Sequence, residues 1–128
     1  MNNPDAAVAE AERAIDELDA RGVQIFTNVQ GKPISAPAFE PIFDLLADRD
    51  LPVWVHPIRG PNHADYVTEE ASEHEIWFTF GWPYETSACM MRLVYAGLFD
   101  RNPAQKIITH HMGGMIPFFA NKILVGPH

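Results

Sequence analysis

Apolar positions along the chain fall into two alternating patterns, one with helical spacing and one of short β-branched runs. Val8, Ala11, Ile15 and Leu18 recur every three or four residues, which predicts an amphipathic helix. Asn3 can cap that helix, Pro4 suits its first position, Asp5 favours the positive end of its dipole, and Gly22 is expected to stop it. Val23 to Asn28 then reads as a short buried strand. The stretch 29–37 holds Gly31, Pro33 and Pro37 and is expected to be a loop without regular structure. Phe39, Ile42, Phe43, Leu46 and Ala47 form one helical face, with Pro41 tolerated in the first turn. Leu51 to Val55 is the next strand, ending in His56-Pro57.

A long excursion over 58–75 follows, with the length of a lid rather than of an ordinary strand-to-helix joint. Ile76 to Phe80 is apolar and aromatic, and Gly81-Trp-Pro-Tyr-Glu-Thr-Ser-Ala88 starts a helix. That helix carries Met90, Leu93, Val94, Gly97 and Leu98 at helical spacing and is closed by Asp100-Arg-Asn-Pro103. Lys106 to Thr109 is a third strand, and Ile116 to Val125 one more helix. Helices and strands alternating over short joints predict an α/β fold of about three right-handed βα units on a parallel sheet.

Composition narrows the partners. The 128 residues, 47% of them hydrophobic, can fill one core. A net charge of −8 with only nine Lys and Arg speaks against nucleic acid, whose phosphates need clustered cations. No apolar run reaches the roughly 20 residues that cross a bilayer. The single cysteine, Cys89, excludes an intramolecular disulfide and is expected to pack as a small hydrophobe. Met1 leads into Asn-Asn-Pro-Asp rather than a signal region, so the cytoplasm is the expected location.

Candidate chemistry sits where strands end. One strand delivers His56, and another delivers His110 and His111 ahead of Gly113-Gly114. In parallel α/β architectures ligands bind outside the carboxyl ends of the strands, so both imidazoles are aimed at one place. Metal binding or acid/base catalysis is the natural use of such a pair. Successive strand side chains point to opposite faces, so His110 and His111 are not expected to face the site together; His111 is taken for the site and His110 as its packed partner. His63 and His74 read as solvent-exposed loop residues, and Trp82 as core or pocket wall.

Four stretches, Gly22-Val-Gln-Ile25, Val55-His-Pro57, Gly81-Trp-Pro-Tyr-Glu-Thr-Ser87 with Arg92-Leu93 and Gly97, and His111-Met-Gly-Gly-Met-Ile-Pro117, together resemble the amidohydrolase-2 family. Its members include metal-dependent decarboxylases of aminocarboxymuconate semialdehyde, γ-resorcylate and related acids. The resemblance runs from about Gly22 to about Ile123. It implies a (β/α)8 TIM barrel with a divalent metal, zinc first and manganese in some members, at the carboxyl ends of the strands. On this match His56 is a metal ligand, and His111 contacts the metal-bound water or substrate and transfers protons. Lys122 stands where some members hold a substrate carboxylate, often with an arginine whose planar fork a lysine cannot reproduce.

The family's His-x-His pair after the first strand and its aspartate after the eighth have no counterpart here, so the chain is expected to be a middle slice of a barrel. The implied activity is that of a carboxy-lyase acting on a small aromatic or unsaturated carboxylic acid. The alternatives are a metal-dependent hydrolase of the same superfamily and a non-catalytic α/β remnant, inactive alone. A slice of about three strands leaves edges and an inner face open. Val23, Ile25, Val53, Val55, Ile107 and Ile108 are candidates for the exposed faces, and the chain is expected to hold zinc weakly and to be oligomeric, aggregated or molten rather than a stable monomer.

Overall fold

A computed structural model describes residues 1–124. Three parallel strands form its centre: β1 (Val23–Phe26), β4 (Pro52–His56) and β5 (Lys106–Thr109), in the spatial order β1-β4-β5. Their register aligns Val23 with Val53, Phe26 with His56, Val53 with Ile107 and Val55 with Thr109. Both intervening connections pass through helices, as parallel pairing requires. β4 is central, so its final residue is flanked on both sides.

The first helix, α1 (Pro4–Leu18), begins as its sequence predicts, with the Asn3 side chain accepting the Ala6 N–H at 3.1 Å. It ends earlier than predicted. Asp19 takes the left-handed conformation and turns its N–H back to the Ala14 carbonyl, and Leu18 is 63% exposed instead of completing the apolar stripe. Gly22 serves the sheet instead: a Cβ there would lie 2.6 Å from the Pro52 carbonyl oxygen and 2.1 Å from the Trp54 ring.

The segment after β1 is not irregular. Asn28–Val29 (β2) and Lys32–Pro33 (β3) form a small antiparallel hairpin around Gln30 and Gly31, both with positive φ. The Asn28 side chain accepts the Gly31 N–H at 2.9 Å, and Pro33 sits at a strand end where its missing N–H removes little pairing. A 3₁₀ turn at Pro37–Phe39 leads into α2 (Glu40–Asp48). Beyond β4 the excursion 58–75 has neither helix nor strand, and the aromatic run becomes the short α3 (Ile76–Thr79). Then come α4 (Gly81–Tyr95), a left-handed break at Gly97, α5 (Leu98–Arg101), and, after β5, α6 (Ile116–Leu124). The predicted end of α6 at Val125 lies outside the described residues.

The core lies on one side of the sheet. Ile25, Val53 and Val55 pack with Phe39, Ile42, Phe43, Leu45 and Leu46 of the α2 region and with Cys89, Leu93 and Leu98. Val23 and Ile107 are partly buried against the same cluster. This corrects the expectation that these strand residues line an open face: of the six named, only Ile108 is exposed. The open face is the other one, carrying Gln24, Phe26, Trp54 and Ile108, with Phe26 46% and Ile108 42% exposed. Burial pushes the Cys89 thiol up to about 12, with Glu85 adding to the rise and Arg92 opposing it, so Cys89 is an inert packing residue. No helix among the described residues is long and apolar enough to cross a membrane.

Candidate active site

Strand alternation puts Val53 and Val55 into the core and therefore turns Trp54 and His56 to the open face. The His56 Nδ1 lies 2.6 Å from the Pro57 carbonyl oxygen. A carbonyl can only accept, so Nδ1 carries the proton and Nε2 is left with a free lone pair. That lone pair faces His111, with 3.4 Å between the two Nε2 atoms.

His111 reaches this place through its backbone. Hydrogen bonding between His110 N–H and the Val55 carbonyl at 3.1 Å extends β5 by one residue, and the strand then ends. His111, Met112, Gly113 and Gly114 all have positive φ, at 53°, 57°, 82° and 63°. Strand alternation stops applying at such a turn, and this overturns the separation of His110 from the site. The His110 ring centroid is 4.9 Å from that of His56, and His111 is 5.3 Å from it, so three imidazoles meet.

Trp82 forms the wall of this cluster, 5.1 Å from His56 and 5.1 Å from His111 between ring centroids. Its indole N–H donates to the Arg59 carbonyl at 2.9 Å, which fixes the ring. Phe26 meets His56 from the neighbouring strand at 6.0 Å. Desolvation, and then the neighbouring His56 and His110 imidazoles, hold the His111 pKa below the ordinary histidine value. The ring is therefore neutral near pH 7, the form that binds a metal or accepts a proton.

The pair is close enough for both rings to serve one ligand. At 3.4 Å the two Nε2 atoms are long for an N–H···N hydrogen bond, so neither ring is tied up by the other. Among the described residues no group of three or more His, Cys, Asp or Glu side chains comes together as a metal site, so His56, with its free Nε2, fits as one member of a larger ligand set. Lys122 is exposed on α6. His63 and His74 are exposed in the 58–75 excursion, as their context predicts.

The supports were not legible as such. Ser87 of α4 accepts the Met115 N–H at 2.7 Å and donates to the Pro83 carbonyl at 2.6 Å. Glu85, one half-turn earlier, accepts from Thr27 Oγ1 at 2.5 Å and from Asn28 Nδ2 at 2.8 Å. The Gly81 to Ser87 motif marks this helix start as special in the sequence, but only the fold says what each side chain holds.

Residues 1–123 match the amidohydrolase family. The chain belongs to that family. It is similar to the 2-amino-3-carboxymuconate-6-semialdehyde decarboxylase of Dictyostelium discoideum, at 28% identity over 96% of the chain and 33% of the relative. It is also similar to a γ-resorcylate decarboxylase of a Polaromonas species, at 30% identity over 92% of the chain and 38% of the relative. Among solved structures it superposes on 5-carboxyvanillate decarboxylase from Novosphingobium aromaticivorans with a TM-score of 0.78 and 28% identity, covering 94% of this chain and 34% of that one. That enzyme was crystallised with manganese and 4-hydroxy-3-methoxy-5-nitrobenzoic acid. The chain thus spans about a third of the length of these relatives, and its three parallel βα units are a part of the TIM barrel.

Proposed function

We propose that this chain is the central part of a metal-dependent carboxy-lyase that removes carbon dioxide from a small aromatic or unsaturated carboxylic acid. The observation that carries the reading is the facing Nε2 pair of His56 and His111 at the strand ends. The activities of these relatives, all three of them decarboxylases, favour this over hydrolysis on the same scaffold.

In this reading His56, its tautomer set by the Pro57 carbonyl, is a ligand of the divalent ion. Zinc suits an imidazole ligand, and the manganese of the carboxyvanillate enzyme makes that ion the second candidate. The ion supplies Lewis-acid polarisation of a substrate oxygen. His111 moves the proton that carbon must receive when the bond to carbon dioxide breaks; neutral at pH 7, it takes that proton from solvent and passes it on. Trp82 and Phe26 supply flat apolar walls for the ring or unsaturated chain. Lys122 is carried as the counter-ion of a substrate carboxylate. Remaining ligands and strands come from parts of the enzyme outside this segment, which acts in the cytoplasm as a homo-oligomer.

The test uses the complete enzyme. His111→Ala lowers turnover by about 10² to 10⁴ with metal content kept, the usual scale for positioned acid/base groups, while His56→Ala loses metal and activity together. Wild-type turnover of aromatic carboxylic acids in both variants would remove the assignment.

A further inference from the structure

The imidazole pair is built from two separate strands, so something must set the gap between them. Backbone pairing fixes only part of it. β4 and β5 are in register through Val55 and Thr109, and His110 N–H bonds the Val55 carbonyl, but the His111 ring lies beyond the last of these bonds. The turn that carries it is strained. His111 and Met112 hold left-handed φ without being glycine, and Gly114 sits at φ 63°, ψ −122°, a region open to glycine alone. Such a turn persists only where its surroundings over-determine it.

The first two turns of α4 do so from one side. Ser87 Oγ holds the Met115 N–H, the first donor after the left-handed run, and is itself aimed by its bond to the Pro83 carbonyl. Gly114 lies so close to this helix that a Cβ would fall 2.5 Å from the Pro83 oxygen and 2.9 Å from Ser87 Oγ. The same helix reaches the other histidine. Glu85 binds the Thr27 hydroxyl, whose oxygen accepts the Ile58 N–H at 3.3 Å, two residues past His56, while the Thr27 N–H donates to the His56 carbonyl at 3.1 Å. Trp82, from the same turns, touches both rings.

We propose that α4 is the template that sets the distance between His56 and His111, and that Ser87 is the positioning residue for His111. Ser87 touches neither imidazole in this arrangement; it acts through the turn. Glu85 has the matching part for His56, through Thr27. The inference rests on reading the two histidines as a working pair, but its test can fail separately.

The chain is labelled with 15N and 13C, and the through-space cross-peak between the His56 and His111 ring protons is recorded with the exchange rate of the Met115 amide. Ser87→Ala is expected to abolish the cross-peak and to speed Met115 exchange by about tenfold, the worth of one hydrogen bond, with the far-ultraviolet spectrum unchanged. Ser87→Thr keeps the hydroxyl and is expected to restore both. Gly114→Ala, which pushes the turn off an intact α4, is expected to lose the cross-peak as well, so the proposal stays testable if Ser87→Ala fails to fold. A cross-peak and a protected Met115 amide that persist in Ser87→Ala, or a cross-peak that persists in Gly114→Ala, overturn it. Zinc titration of the same samples separates the two readings. Zinc-dependent shifts at both rings in wild type, with the shift at His111 lost in Ser87→Ala, fit both. Zinc that leaves both wild-type rings unmoved sinks the pair, whereas the cross-peak and Met115 exchange decide the positioning role alone.

Discussion

The two faces of the three-stranded sheet differ in what they are for. On one, Val53 and Val55 are fully buried beneath α2 and α4, together with Ile25 and the rings of Phe39 and Phe43. On the other, Gln24, Phe26, Trp54, His56 and Ile108 face outward and the imidazoles gather at the strand ends. Stability is concentrated on the covered face, chemistry on the open one. Half of the sheet keeps a core of its own, while on the other half Phe26 and Ile108 stay exposed among the described residues.

The sharpest way to break this contrast is to truncate the same residue type on each side. Phe43→Ala, in the helix layer and 1% exposed, is expected to destabilise by about 3–5 kcal/mol, enough to unfold a marginal domain. Phe26→Ala, 46% exposed on the open face, is expected to cost under about 1 kcal/mol. Urea denaturation of the two variants decides it, and similar losses would mean that the faces are energetically alike. A smaller effect is expected where the faces are joined. Gly22→Ala places a methyl against the Pro52 carbonyl oxygen and the Trp54 ring and should destabilise by about 1–3 kcal/mol, read in the same experiment.

The smallest effect concerns protons on the open face. The folded-state pKa of His111 lies below its unfolded value, so between the two the unfolded chain binds more protons. Stability should therefore fall as pH drops through the window below 6.5 and be unaffected by this group above it. Because His111 is exposed, the change is small, and histidine resonances followed through an acid titration should show His111 protonating at a lower pH than a free histidine. A midpoint at or above that of free histidine would contradict the cluster geometry.

Much of this was legible in the chain. Three strands in the right order, the Asn3 cap and the delivery of His56 to a strand end all follow from local pattern. The phase of β4 was not, because Pro52-Val-Trp-Val-His56 is apolar on both of its faces and alternation alone does not say which side the helices take. The β2–β3 hairpin was hidden by a rule that counts glycine and proline as breakers, although Gly31 is what its turn needs. His110 was separated from His111 by strand alternation, a rule that expires where φ becomes positive. The parts played by Ser87, Glu85 and Thr27 are long-range contacts that no local spacing announces.

Paramagnetic titration is the direct test of whether His56 and His111 act on one ligand. Manganese added to the labelled chain is expected to broaden the ring resonances of His56 and His111 first and together, with weak affinity because the described residues supply only part of a ligand set, and His56→Ala is expected to remove the effect. Broadening that begins at the acidic surface of α1 and leaves the two rings sharp, or tight binding that survives His56→Ala, would contradict it.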